Sequence, residues 1–151
     1  MTYRRILAAV DGSRPANRGL REAIRLARSG RGQLIVLNVV NAYYALAAPE
    51  GGAAAAGPDL VALLREDAQR ILAKAQAAAK KEGVAAKTVL RETVGGPAAD
   101  LIVREAKKQR ADLIVLGTHG RRGMRRLVLG SDAEQVVRAS PVPVLLVRAP
   151  A

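Results

Sequence analysis

Apolar runs of strand length alternate along this chain with stretches whose apolar positions recur at helical spacing. Residues 5–10, RILAAV, form the first run, and it stops at Asp11-Gly12-Ser13, which is turn and cap chemistry. Ser13 is placed to cap a helix with Pro15 in its first turn. Leu20, Ala23, Ile24 and Ala27 then recur at helical spacing until Gly30 and Gly32 end the element. Residues 33–40, QLIVLNVV, predict a second strand. Its run is nearly continuous instead of alternating, so both of its faces should be covered.

Residues 41–58, NAYYALAAPEGGAAAAGP, have no clear period and read as a flexible loop. A long helix is predicted over 59–81, with Asp59 as its N-cap and Gly83 as its C-cap. The strand over 86–93 carries Lys87, Arg91 and Glu92, a charge pattern that suits the edge of a sheet. Gly96-Pro97 opens a helix through Leu101, Ile102 and Ala106, and 112–116, DLIVL, reads as a buried strand. After a loop rich in Gly and Arg comes a helix over 131–139 with Ser131 as a capping residue. Pro141 and Pro143 flank the last strand, PVPVLLV.

Strand and helix alternate throughout, and right-handed crossovers turn that order into a parallel sheet covered on both faces. The expected fold class is therefore α/β: a five-stranded parallel doubly wound sheet, Rossmann-like or flavodoxin-like, in strand order 3-2-1-4-5. At 151 residues the chain has the size of one domain, 1–151. Ligands of such sheets sit beyond the carboxyl ends of the strands where the winding reverses. Two loops qualify, Asp11-Gly12-Ser13 and Gly117 to Gly130.

Composition narrows the core and the partners. The chain has three Tyr and no Phe or Trp, so the core has to be built from Leu, Ile, Val and Ala. No apolar stretch approaches the ~18 to 20 residues that cross a bilayer, and the N-terminus lacks a signal-peptide pattern, so the expectation is a cytoplasmic protein without a membrane partner. With no cysteine there is no disulfide or thiol chemistry, and a single histidine excludes a His-cluster metal site. The formal charge of +12 attracts polyanions, but the cations are spread along the chain. Stacking aromatics and recognition motifs are missing, so no specific nucleic acid partner is expected; any such binding should be independent of sequence and steeply salt-sensitive.

The chemistry concentrates after the fourth strand. LGTHGRRGMRRLVLGSDAEQV places Gly117, Gly120, Gly123 and Gly130 in one connection that ends at a helix start. Glycine lets backbone approach a ligand, and a helix start offers unpaired N–H groups with a partial positive charge, which together bind phosphate. Ser131, His119, Arg121, Arg122, Arg125 and Arg126 add donors or cations. Neither GxxxxGK[ST] nor GxGxxG occurs, so the loop is neither a Walker loop nor a dinucleotide fingerprint. Ser13 and Ser131 lack a His and Asp set and read as helix caps instead of nucleophiles.

Two residues separate Gly117 from Gly120, and nine separate Gly120 from Gly130-Ser131. That spacing, together with ILAAVDGS, ADLIVLGTHGRRG and SPVPVLLVR in this order, resembles the universal stress protein family, in its ATP-binding subclass, over essentially the whole chain. The resemblance implies a bound adenine nucleotide, ATP with Mg²⁺, and no catalytic residues. Asp11 matches a position that contacts the ribose or adenine, Val39 one that lines the adenine pocket, and Ala9 and Leu116 flank it at strand ends. Gly117, His119 and Gly120, with Arg121 and Arg122 beside them, match residues around the ribose and phosphates. Gly130 and Ser131 match the pair that receives the terminal phosphates. Two positions depart from the pattern: Ala9 replaces a Pro or other residue packed on the adenine, and Asp132 puts a carboxylate where a small hydroxyl residue or Val commonly follows Ser131. At that point it either turns away from the phosphates or meets them through a divalent cation.

The resemblance further implies a regulatory stress-response module that forms a homodimer through strand 142–147 and is read by a protein partner. A slow ATP hydrolase or phosphoryl-transfer enzyme, and a nucleotide-free interaction dimer, are the alternatives. The hydrolase would have to draw on Asp11, His119 or Asp132 to orient water.

Overall fold

Each predicted strand forms, and each helix follows the strand expected to precede it. The order is β1 (Arg5–Ala9), α1 (Arg14–Gly30), β2 (Gln33–Asn41), α2 (Gly57–Lys81), β3 (Ala86–Thr93), α3 (Ala98–Lys108), β4 (Leu113–Gly117), α4 (Ser131–Ala139) and β5 (Val144–Val147). The computed structural model describes residues 2–43, 57–119 and 129–148. The loop expected at 41–58 begins later than predicted, because β2 runs on to Asn41, and Gly57 already belongs to α2. Residues 44–56 lie outside the described residues.

All pairings are parallel, and the sheet order is β3-β2-β1-β4-β5, as the alternation of elements predicts. β1 sits at the centre: Ala8 lies between Val36 on one side and Val115 on the other. Even and odd residues of the inner strands feed two separate cores. Ile6, Ala8, Leu34, Val36, Leu113 and Val115 pack with residues of α1 and α2. Leu7, Ile35, Leu37, Ile114 and Leu116 pack with residues of α3 and α4. That is why the apolar runs are continuous, and each fully buried Leu, Ile or Val among them stabilises the fold by about 1.5–3 kcal/mol.

The sequence misplaces several element ends. α1 closes on Arg31, whose φ of 49° is left-handed, and not on a glycine. Gly32 has a packing reason instead: a Cβ there would stand 2.8 Å from the Tyr3 carbonyl oxygen. Asp59 falls in the first turn of α2 because that helix begins at Gly57, so it is not the N-cap. Pro97 is the N-cap of α3 and lies before its first turn. Asp112 stays outside β4; its carboxylate accepts the backbone N–H groups of Arg4 at 2.8 Å and Arg5 at 3.0 Å, tying the start of β1 to that of β4.

β3 is an edge strand, as its charges predict, and those charges have partners. Arg65 of α2 pairs with Glu92, and Arg91 donates to the buried Glu105 of α3 at 2.9 Å. Burial would raise the Glu105 carboxyl, but hydrogen bonds from Gln109 and Arg91, with the charges of Arg91 and Lys108, outweigh it and hold it below the ordinary carboxylate range. No helix among the described residues is long and apolar enough to cross a membrane.

Candidate functional site

The pairing of β1 with β4 brings the two candidate loops together. Asp11 leaves β1 half-buried, and its Oδ1 accepts the Ser13 N–H at 2.9 Å. Gly12 between them has φ 83°, a conformation that only glycine adopts without strain. Ser13 caps α1 through the Ala16 N–H at 3.3 Å, as predicted, and its hydroxyl also reaches the His119 carbonyl at 3.5 Å. The loop after β1 thus touches the loop after β4 at Ser13 and His119.

Two buried polar residues that the sequence reading passed over organise this meeting point. Asn38 is 5% exposed, and its side chain donates to the Val10 carbonyl at 2.9 Å, holding the end of β1 against β2. Thr118 is 7% exposed and forms a junction. Its N–H bonds to Val147 of β5 at 3.0 Å, its carbonyl accepts the Gly130 N–H at 2.9 Å, and its hydroxyl meets His119 Nδ1 at 3.1 Å. The signal was available for Asn38, a lone amide inside QLIVLNVV. For Thr118 it was hidden among the glycines that flank it.

The predicted glycines prove to have different jobs. Gly117 lies where α1 meets β4: a Cβ there would stand 2.6 Å from the backbone of Pro15 and Ala16. Its lack of a side chain admits the start of α1. Gly130 is the N-cap of α4, with no side-chain cap bond, and a Cβ on it would come within 3.2 Å of the Thr118 carbonyl oxygen. Ser131 is therefore the first residue of the helix and not its cap. The N–H groups of Ser131, Asp132 and Ala133 have no intrahelical acceptor, and the glycine in front of them has no side-chain oxygen to cap them; its carbonyl accepts the Glu134 N–H at 2.9 Å. Asp132 and Glu134 are exposed in that first turn, and Glu134 pairs with Arg138 at 2.7 Å.

Ala9, Val39 and Leu116 come together on the sheet face covered by α3 and α4, at the carboxyl ends of three strands. Val39 has a further property. The Gln33 N–H and the Leu37 carbonyl bond toward β1, while the N–H groups of Leu34 and Ala42 bond to Ala85 and Thr93 on the side of β3. Odd-numbered backbone groups of β2 thus face β1, whose pairing ends at Ala9 with Leu37. Val39 turns its N–H and C=O toward the side that β1 has left. Gly120, Arg121 and Arg122, with Arg125 and Arg126, lie outside the described residues. No group of three or more His, Cys, Asp or Glu among the described residues is placed to hold a metal ion.

The carboxyl ends of the central strands thus gather a carboxylate after β1, a strand backbone edge at Val39, and the first-turn N–H groups of α4, with His119 beside them. Such a set can accept hydroxyl protons at one end and meet negative charge at the other. The fold defines a doubly wound α/β protein whose winding reverses between β1 and β4, the place where ligands of such sheets sit.

Known proteins carry the same architecture. The universal stress protein family profile matches residues 2–148. A universal stress protein of Methanocaldococcus jannaschii is 34% identical over 149 residues, covering 98% of this chain and 84% of that one. The crystal structure of a universal stress protein family member from Burkholderia pseudomallei shares 33% identity, covers 97% of each chain and superposes with a TM-score of 0.78. A universal stress protein of Archaeoglobus fulgidus, solved in complex with dAMP, is 28% identical over 97% of this chain and 99% of its own, with a TM-score of 0.66. This chain belongs to the universal stress protein family.

Proposed function

We infer that the protein binds an adenine nucleotide, ATP, at these strand ends and works as a cytoplasmic regulatory module whose occupancy a protein partner reads. The observation that carries the reading is the glycine-capped start of α4, pressed against Thr118 and His119 and one strand away from Asp11. Phosphates are accommodated at the α4 N-terminus, where the helix dipole and the first-turn N–H groups favour negative charge. Asp11 then lies where a ribose hydroxyl can donate to a carboxylate. The N–H and C=O of Val39 complement the acceptor and amino donor on the edge of adenine, and in the same seating guanine would set its carbonyl oxygen against that of Val39. The dAMP complex of the Archaeoglobus fulgidus relative supports an adenine ligand for this fold.

The residues fit Mg²⁺ only as an ion that arrives with the triphosphate. Asp132 is the exposed carboxylate such an ion would meet, and it supplies one hard oxygen ligand. The second part of the reading is a homodimer through strand 142–147. β5 is an apolar edge strand, VLLV, whose four residues are only partly buried within one chain, and pairing with a second copy would cover that edge.

The test is calorimetric titration of ATP with Mg²⁺ into the protein, repeated with GTP and with the Gly130→Asp variant. Micromolar ATP binding, about −8 kcal/mol, with weaker GTP binding and loss in the variant, is the expected result. Absence of heat for ATP in the folded wild-type protein would leave a nucleotide-free interaction dimer as the function.

A further inference from the structure

α1 carries a feature that the proposed nucleotide site does not use. Arg14, Arg18, Arg21, Arg25 and Arg28 are all exposed and recur at alternating steps of four and three. At 3.6 residues per turn they fall within an arc of about 80°, opposite the buried stripe of Ala16, Leu20, Ala23, Ile24 and Ala27. Arg25 pairs with Glu22, and Arg28 with Glu82 of α2. Arg14, Arg18 and Arg21 have no ion-pair partner among the described residues.

Helix physics opposes this arrangement. Like charges three and four residues apart repel, and Arg14 and Arg18 stand near the positive end of the helix dipole, with no acidic residue in the first turn to offset them. Four lysines of α2 and α3 differ: Lys80, Lys81, Lys107 and Lys108 occupy last turns, where the dipole favours cations. Their placement is explained within the fold. That of the arginines on the first half of α1 is not, and a local rule broken without an internal gain points to an external partner.

We propose that the arginine face of α1 docks on the phosphate backbone of double-stranded nucleic acid without reading its sequence. The five guanidinium groups span about 21 Å of helix, the length of about six base-pair steps, and guanidinium is the side chain that pairs with phosphate in bidentate fashion. A membrane surface fits less well, because among the described residues the exposed large apolar ones, Tyr43, Leu60, Leu63, Val94 and Val137, all lie off α1 and offer nothing on that helix to insert beside the arginines. A single strand fits less well too, since α1 offers no aromatic ring for stacking.

The experiment is fluorescence anisotropy of a labelled duplex of arbitrary sequence with the full chain, over a salt series from about 50 to 200 mM. The double variant R18Q/R21Q is compared with K74Q/K80Q, which removes the same charge from another helix. R18Q/R21Q is expected to bind about tenfold more weakly at low salt and to flatten the log–log salt slope by about 1.8, two contacts at 0.9 each. K74Q/K80Q should stay close to the wild type. Thermal melting of R18Q/R21Q should be at or above that of the wild type, because like-charge repulsion is relieved. Equal losses in both variants would show attraction to net charge alone and overturn the proposal. So would a wild type held by phosphatidylserine vesicles but not by duplex, or by an acidic polypeptide but not by duplex.

Discussion

The Thr118 carbonyl accepts the Gly130 N–H at 2.9 Å, fastening the end of β4 to the start of α4 across the whole glycine-rich connection. The same residue bonds to Val147 of β5 and, through its hydroxyl, to His119. The start of α4, the edge strand and the histidine therefore share one buried residue.

Thr118→Val keeps the backbone bonds and removes the hydroxyl. Loss of a part-buried hydrogen bond costs about 1 kcal/mol of stability, readable in urea denaturation. Release of the His119 ring should weaken ATP about three- to tenfold by calorimetry, an energy of the same order. Thr118→Ser, which restores the hydroxyl, should recover the affinity. Unchanged affinity in Thr118→Val would remove His119 from the nucleotide contact.

Gly117→Ala separates packing from ligand contact. The added methyl meets the backbone of Pro15 and Ala16 at 2.6 Å, and backbone cannot swing aside. The expected loss is about 1–3 kcal/mol, from overpacking. Amide hydrogen exchange should show the first turns of α1 less protected. A variant as stable as the wild type that fails to bind ATP would instead give Gly117 a direct role at the ligand.

Asp132→Asn tests the carboxylate at the start of α4. Without Mg²⁺, removing its charge should tighten ATP about two- to fivefold, the equivalent of about 0.4–1 kcal/mol of relieved repulsion. With Mg²⁺ present the gain should shrink or reverse. The gain without Mg²⁺ and its loss on adding the ion would both be absent if the side chain points away from the phosphates.

Glu105 predicts an acid-sensitive component of stability. Its folded carboxyl lies below the ordinary value, so the stabilisation is fully present above the unfolded value of about 4.3 and is lost as pH falls through the lower folded value. Glu105→Gln should cost about 1–3 kcal/mol at neutral pH, because an uncharged amide has one acceptor oxygen where Arg91 and Gln109 now donate to two. It should also flatten the fall in thermal midpoint as pH drops below the unfolded value.

The sequence by itself determined the order of elements and the sheet. RILAAV, QLIVLNVV and DLIVL are long enough and apolar enough to be strands buried on both faces, and the helical spacing between them leaves only a doubly wound arrangement. Ser13 as a cap and the charged edge of β3 were legible for the same reason: capping and edge protection act within a few residues of chain.

What the tertiary structure decided depends on distant segments approaching each other. Gly117 reads as a phosphate-loop glycine until Pro15 and Ala16 are found against it. Ser131 reads as a cap until Gly130 is drawn into the cap position by Thr118, 12 residues earlier in the chain. Gly32 reads as the glycine that ends α1 until Arg31 is found in the left-handed cap position and the Tyr3 carbonyl against Gly32. Val39 reads as an apolar pocket residue, and only the pairing of β2 with β1 shows which way its backbone faces. Periodicity reports which face of an element is buried; it carries no information about the other chain segment that buries it, and that neighbour sets the backbone contacts of the site.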